Sequence, residues 1–374
     1  MTGTKEKSPF KLPLEEGSVL AGVVGCHGHS SKNVTHCQSD NVSWSKTDKE
    51  IGLKFTPKKK SSLLLSESYG RLGLSGKSQR VFDCGTFLEF AHEISFDGIV
   101  SETGKLQTAN FCRDRMCPMC SWRRSYKIFG QVSRIMEVIG GKYKFLFLTL
   151  TVPNCSGEEL PGTLDRMMLA WRKLIRYKDF KVVKGFFRAL EITRNKDFRS
   201  KSYGSYHPHF HVVIAVPLSY GKKVYISRNR WLELWQKAMK DPSITQVDIR
   251  VAKDKDLSEN YSQELSSAVA EIAKYAVKDS DFIYPGQDEL TDDVVSTLSG
   301  ALFHRRLVAF GGVFQDAFDS LQLDDPEDGD LVHINDKINP ELALLIVKYG
   351  WSCGTYKMTD AHIRSPREEV TDIE

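Results

Sequence analysis

Three groups of residues have types and spacings that could do chemistry. Cys112, Cys117 and Cys120 stand in the string FCRDRMCPMCSWRR (111–124), and Cys84 lies upstream. Two thiolates two residues apart, as at Cys117 and Cys120, can grip one tetrahedral ion, so the four cysteines form a candidate structural Zn²⁺ site. Cys84 has no nearby partner cysteine, and its membership stays open. A redox Cys-Pro-x-Cys pair, or cysteines that are merely buried, are the alternatives. Around the knuckle stand Arg113, Arg115, Arg123, Arg124 and Lys127, with Trp122 among them. Guanidinium suits phosphate and an indole offers a stacking face, so these residues could hold a polyanion; solvated charge is the bland alternative.

The second group is His209-Phe210-His211, inside the run YHPHFHVVIAV (206–216). Side chains alternate along a strand, so His209 and His211 share a face, about 6–7 Å apart along the chain, while Phe210 takes the other. Two such imidazoles can chelate one divalent ion. A third ligand would come from a neighbouring strand, and Glu191 is the candidate: it is a charge inside the apolar run ALEIT (189–193), where a carboxylate needs a partner. Its alternative is an exposed strand face. Such a set, with open positions, suits Mg²⁺ or Mn²⁺ acting as a Lewis acid on a phosphate. The third group is Glu271, Tyr275 and Lys278, which at helical spacing fall on one face. A Tyr hydroxyl can be a nucleophile, a carboxylate can activate water, and Lys278 could neutralise a phosphate. An amphipathic helix with a salt bridge would look the same.

These residues need elements to position them. From residue 144 the pattern runs strand (144–151), helix (163–177), strand (185–194), strand (206–216), helix (228–240), strand (247–252) and helix (266–278). A βαββαβ order builds an α+β, ferredoxin-like antiparallel sheet with helices on one face. Residues 1–75 are rich in Ser, Gly and Lys and read as a flexible basic arm. Cys26, His27, His29, His36 and Cys37 within it could also bind a metal. Residues 76–140 read as a cysteine-rich, basic region, 141–285 as the core, and 286–374 as a C-terminal extension. After Asp281 the pattern loosens; within the extension Asp324–Asp330 is an acidic linker, and Glu341–Tyr349 suggests a small helix–strand unit.

The 374 residues are 41% hydrophobic and 27% charged, which excludes a wholly disordered chain. No apolar run is long enough to span a membrane, and the chain reads as cytoplasmic. The net charge of +4 hides an asymmetry: residues 315–374 carry 5 Lys/Arg against 14 Asp/Glu, a net of −9, leaving +13 for the remainder. A basic body suggests a polyanionic partner.

Taken in order, Cys84-Gly85, FCRDRMCPMCSWRR, FLTLTVPN (147–154), HPHFHVVI (207–214), EIAKYAVK (271–278) and LFHRRLVAFGG (302–312) resemble the plasmid rolling-circle replication initiators of the large Gram-positive Rep family, within the HUH (His-hydrophobe-His) endonucleases. The resemblance covers residues from about 80 to 350. It implies a metal-dependent, site-specific single-strand DNA endonuclease and strand transferase. Tyr275 would attack a phosphodiester at the plasmid double-strand origin, single-stranded or extruded as a hairpin, and leave a 3′-hydroxyl primer. His209 and His211 would hold Mg²⁺ or Mn²⁺. Glu271 would serve as base for a terminating water, and Lys278 would contact phosphate. A host helicase and polymerase are the expected partners. The basic segment 105–144 could clamp the DNA, so that replacing Arg123 and Arg124 by Ala should weaken origin binding and flatten its salt dependence. Other readings are an HUH transposase or relaxase, a non-enzymatic zinc-dependent DNA-binding regulator, and a metallo-hydrolase of small substrates. Tyr261 lies upstream without a carboxylate in the same arrangement.

Overall fold

Continuous β-branched and aromatic runs dominate the middle of the chain, and they fold as a central sheet. The computed structural model describes residues 46–222, 224–251, 277–334 and 338–366. Strands β3 (Tyr143–Thr151), β4 (Gly185–Arg194), β5 (Tyr206–Pro217), β6 (Val247–Val251) and β7 (Val308–Gly312) form one sheet in the order β6-β3-β5-β4-β7. Every pairing in it is antiparallel. Helix α5 (Leu160–Leu174) joins β3 to β4, yet β5 lies between those two strands; α6 (Arg228–Met239) joins β5 to β6, with β3 between them. The two crossovers therefore interleave, and β5 becomes central.

Alternation sorts the β5 side chains. Phe210, Val212, Ile214 and Val216 face α5 and α6, where Trp171, Phe180, Trp231 and Trp235 fill the layer. The Trp171 ring stands 5.0 Å from Phe186, 6.0 Å from Phe180 and 6.1 Å from Phe210, all edge to face. Val213 and Ala215 face the other way. Against them packs α4 (Pro118–Ile139), through Ile128, Val132, Ile135, Met136 and Ile139 at helical spacing. The expectation of helices on one face is thus corrected: α4 and α8 (Val313–Ser320) cover the second face. Together the described elements form a mixed α+β structure with antiparallel sheets.

A second sheet has the order β2-β1-β8-β9, with β1 (Phe87–Ile94), β2 (Lys105–Ala109), β8 (Ala343–Ser352) and β9 (Thr355–Arg364). It joins residues more than 240 apart, Phe87 opposite Gly350 for instance. Sheet pairing therefore crosses the boundaries drawn at 140 and 285. The cysteine-rich region supplies one face of the core, and the C-terminal extension supplies β7 and half of the second sheet.

Three further expectations are corrected. The flexible arm does not extend to residue 75: α1 (Lys46–Glu50), a π-helical turn (Ile51–Phe55), α2 (Thr56–Arg71) and the start of α3 (Ser75–Asp83) are helical. Burial is the reason, since Phe55 packs against Phe90 and Trp122 while Leu65 and Tyr69 are wholly buried. Helix α7 (Asp288–Leu302) occupies the stretch read as loosened, with Val294, Val295, Leu298 and Ala301 in the core. Residues 343–352 are strand throughout and carry no helix. Among the described residues no helix is long and apolar enough to cross a membrane. The part of the arm before residue 46, and the cysteines and histidines in it, lie outside the described residues.

Trp171→Ala should remove the ring that ties α5 to the sheet and lower the unfolding free energy by about 3–5 kcal/mol. Urea unfolding measures it. A loss below about 1 kcal/mol would show that the neighbouring rings close the gap without cost.

Candidate functional site

Register builds the first site. In the β4–β5 pairing Glu191 lies directly opposite His209, and Ala189 opposite His211. Directly opposed residues of an antiparallel pair share a face, so the carboxylate and both imidazoles project together. Glu191 Oε2 stands 3.2 Å from His209 Nε2 and 2.7 Å from His211 Nε2, and the two Nε2 atoms are 2.9 Å apart. Nδ1 of His209 faces the His207 carbonyl at 3.2 Å, and Nδ1 of His211 faces the Thr149 hydroxyl at 3.5 Å. A ring whose Nδ1–H donates to a carbonyl presents the Nε2 lone pair, which is how second-sphere bonds orient metal-binding imidazoles. Cis ligands of an octahedral ion at roughly 2.1 Å sit about 3 Å apart, and the three donor separations match one triangular face of that polyhedron.

The three side chains are all but buried, with Glu191 at 5% and His209 at 8% exposure. Burial by itself would raise the Glu191 carboxyl. Its bonds to His209 and His211, and their charge, outweigh burial and hold it well below the usual carboxylate range, so it stays an anion. Burial and the neighbouring His209 push the His207 imidazole down and keep it neutral.

The second site lies where α3 ends, β1 begins and α4 starts. The Cys84 and Cys117 sulfurs are 3.5 Å apart, Cys84 and Cys120 3.6 Å, and Cys112 and Cys120 3.7 Å. Four sulfurs at about 2.3 Å from a tetrahedral Zn²⁺ would be separated by roughly 3.8 Å. Cys84 is therefore the fourth member of the cluster. Backbone N–H groups of Cys112, Arg113 and Asp114 point at sulfurs at 3.2–3.4 Å. The turn that aims them has positive φ at Arg113 (60°), and the chain leaves Cys84 through a second positive φ at Gly85 (64°). Beneath the cluster the fully buried Lys59 donates to the Phe82 and Cys84 carbonyls, the latter at 2.8 Å. Burial pushes its ammonium below the usual value in spite of the nearby cysteines. Nothing in its local sequence, KKK at 58–60, set Lys59 apart from its neighbours.

The basic residues near the knuckle have another role than the one read from sequence. Arg124, 2% exposed, donates to the Glu327 and Asp114 carbonyls at 3.0 Å and to the Arg113 carbonyl. Arg123 donates to the Leu331 and Val332 carbonyls at 2.8 and 2.9 Å. Lys127 binds the Asp324 carboxylate at 2.6 Å and the Asp325 carbonyl at 2.7 Å. Arg115 pairs with Glu327 at 3.1 Å, and Arg113 reaches the Asp328 carbonyl at 3.4 Å. The acidic linker is a strap laid along α4, and these cations hold it. A Cβ on Gly329 would meet the Asp324 carboxylate at 2.1 Å and Lys127 Nζ at 2.3 Å, so a larger residue there would displace the Lys127–Asp324 pair. Glu327, 3% exposed, closes the strap onto β7 by accepting from the Leu307 and Val308 amides at 2.8 and 3.0 Å. Burial raises its carboxyl against those donors. The assignment of Arg115, Arg123, Arg124 and Lys127 as a free DNA-binding surface is corrected: their donors are engaged, and Arg123, Arg124 and Lys127 are buried.

Tyr275, Glu271 and Tyr261 lie outside the described residues. Lys278 is described; it is exposed, in extended backbone before a 3-10 turn at Asp279–Asp281 rather than within a helix. That turn is pinned by Lys58 to Asp279 at 3.1 Å and by Lys196 to Asp281 at 2.8 Å. Arg194, on β4 three residues past Glu191, donates to the Tyr284 hydroxyl at 3.2 Å. The segment that follows Tyr275 in sequence thus returns at the histidine end of the sheet.

The family described as "Replication protein" matches residues 103–356. The chain belongs to the replication protein (Rep) family. Curated relatives agree: a "Protein rep" of Bacillus sp is 42% identical over 278 residues, covering 70% of this chain and 86% of its own. One of Bacillus amyloliquefaciens is 39% identical over 305 residues, covering 75% and 85%. One of Streptococcus pneumoniae is 34% identical over 283 residues, covering 74% and 82%. No solved structure matches the chain. The likeness to Rep proteins read from sequence motifs is thereby borne out, and this Rep protein carries both donor clusters on one scaffold.

Arg124→Ala should leave the buried Glu327 carbonyl and the part-buried Asp114 and Arg113 carbonyls without their guanidinium donor and destabilise the Rep protein by about 1–3 kcal/mol. Thermal unfolding reads the loss. A variant with unchanged stability but a flatter salt dependence of DNA binding would restore the phosphate-binding role.

Proposed function

We propose that this Rep protein is a plasmid rolling-circle replication initiator that nicks its origin through Tyr275. The observation that carries the reading is the convergence of Glu191, His209 and His211 on adjacent strands, with both Nε2 atoms aimed at the carboxylate. The strand order β6-β3-β5-β4 supports it too, being that of a ferredoxin-like core with the His pair on the central strand, as in an HUH endonuclease.

The donor set fits a divalent cation, and a mixed imidazole–carboxylate set accommodates Mn²⁺ more readily than Mg²⁺. Such an ion, when bound, supplies Lewis-acid stabilisation of charge on the scissile phosphate. The chain's own residues do the rest. The Tyr275 oxygen attacks phosphorus, the bond to the 3′ oxygen breaks, and the strand's 5′ end becomes a phosphotyrosine ester beside a free 3′-hydroxyl. The ester conserves phosphodiester energy, so a later 3′-hydroxyl can displace Tyr275 and rejoin the strand. Glu271 takes a proton from the water that ends the cycle by hydrolysis. Lys278, exposed and flexible in reach, contacts phosphate. The substrate is the plasmid double-strand origin, opened or extruded as a hairpin, in the bacterial cytoplasm, with a host helicase and polymerase extending the primer.

The four cysteines fit Zn²⁺ in a closed, structural role, because four thiolates leave no position for substrate. Metal analysis of the purified protein should find one zinc per chain. Cys84→Ser and Cys117→Ser should each lose zinc and lower the thermal midpoint. Full zinc in Cys84→Ser would leave that residue out of the site.

Incubation with supercoiled DNA bearing its own origin and Mn²⁺ tests the nuclease. A site-specific nick with protein on the 5′ end is expected, absent in Tyr275→Phe and with EDTA, and slowed about 10²- to 10³-fold in His211→Ala. Nicking that survives in Tyr275→Phe would displace Tyr275 as nucleophile.

A further inference from the structure

The β4–β5 hairpin does more than set the register of the metal triad. Its tip, Asn195–Ser205, reads NKDFRSKSYGS, with three cations against one carboxylate and two aromatic rings. A single exposed apolar residue needs no explanation. Here several features coincide. Phe198 is 75% exposed and Tyr203 49%. The Arg199 guanidinium lies 5.3 Å from the Phe198 ring centre. Lys196 is engaged by Asp281, whereas Arg199 and Lys201 are exposed and pair with no carboxylate among the described residues.

The tip is also built to hold its shape. Asn195 donates to the Ser200 and Ser202 hydroxyls at 3.1 and 2.8 Å. Asp197 accepts from the Arg199 amide at 3.0 Å, which keeps its carboxylate turned into the loop. Gly204 has φ +80°, and a Cβ there would press on Arg194 at 3.2 Å. Arg194 is sandwiched, its guanidinium 5.7 Å from the Tyr203 ring and 5.5 Å from Tyr284. Rings and charges held in advance lose little freedom on binding.

We propose that this tip is a single-stranded DNA contact, with Phe198 and Tyr203 as stacking faces for bases and Arg199 and Lys201 as phosphate contacts. Exposed aromatics interleaved with cations are the chemistry that single strands require, and stacking tolerates any base. Position argues for the same ligand. The tip springs from the Arg194–Tyr206 pair, three residues along the strands from the Glu191–His209 pair. At about 3.3 Å per residue, that places its base roughly 10 Å from the metal triad. A strand lying on the tip is led to the triad from the side on which the segment after Tyr275 returns. The inference deepens the nuclease reading and rests on it for the identity of the strand.

The test measures fluorescence anisotropy of a labelled oligothymidylate with the full-length protein over a NaCl series, beside origin nicking. Phe198→Ala should weaken binding about 5- to 100-fold. Arg199→Gln with Lys201→Gln should flatten the log–log salt slope by about 1.4, at roughly 0.7 per phosphate contact. Both variants should melt as the parent does, since the side chains are exposed. Phe198→Trp should bind as tightly as the parent or more so, which separates stacking from loop damage. Affinity and slope unchanged in both variants would overturn the proposal, as would a parent protein that does not bind the oligonucleotide. The two readings fail separately. Tip-dependent binding without origin nicking sinks the nuclease and leaves the contact standing; nicking with tip-independent binding does the reverse.

Discussion

The pairing register of β4 with β5 is the constraint on which the candidate site depends. Glu191 stands opposite His209 because Gly185 stands opposite Ala215 and every pair between follows in step. A slip of one residue would turn both imidazoles toward the Trp171 layer and bury them among aromatic rings. The hairpin tip and the two faces of the sheet hold that register. Phe210, Val212 and Ile214 can face only the α5–α6 layer, and Val213 and Ala215 only α4. The hydrophobic alternation that stabilises the sheet therefore also delivers the donors to one point. At that point the Glu191 carboxylate lies within hydrogen-bond distance of both imidazoles, which holds it as an anion in spite of burial.

The strap shows a second use of charge, and why composition misled. A chain-wide count sees a basic body and an acidic C-terminal part, and it invites an external polyanion for the first. In the fold the two meet. Arg123, Arg124 and Lys127 are buried against residues 324–332, largely through main-chain carbonyls. A buried cation left without a partner is costly, so this alignment fixes the path of the chain from β7 back toward the second sheet. Periodicity on α4 could have hinted at it: residues 123, 124, 127 and 131 fall on successive turns beside the apolar stripe at 128, 132 and 135. Charges so close to a core-facing stripe are poor candidates for a free surface.

What sequence could show was what depends on local pattern. The runs that became β3, β4, β5 and α6 were legible within a residue of their ends, and α5 within three, because burial imposes a clean period on them. His209 and His211 were legible from alternation, and Glu191 from the oddity of a charge in an apolar strand. Cys84 was not assignable with certainty, since its closeness to Cys112, Cys117 and Cys120 is made by folding and not by spacing. The sheet β2-β1-β8-β9 was out of reach for the same reason, its strands being separated by most of the chain. Helix α7 was different: its apolar residues at 294, 295, 298, 301 and 302 have plain helical spacing, and the acidic, Ser/Thr-rich residues around them masked it.

The two donor clusters differ in a way that fits each to its place. The cysteine cluster has four soft donors, main-chain N–H groups aimed at three of its sulfurs, and a buried ammonium beneath it. Its ligands come from the end of α3 and the start of α4, so filling it ties the N-terminal helices to the helix that backs the sheet. The triad has three donors, all on one side, and His211, at 14% side-chain exposure, is the most accessible of them. A donor set confined to one side leaves the opposite side of an ion open to an oxygen from elsewhere. On the proposed reading, closed coordination would serve stability and open coordination a reacting phosphate. The same contrast appears in the supporting structure: the closed cluster lies inside the packed N-terminal helices, whereas the open one sits three residues from an exposed hairpin tip.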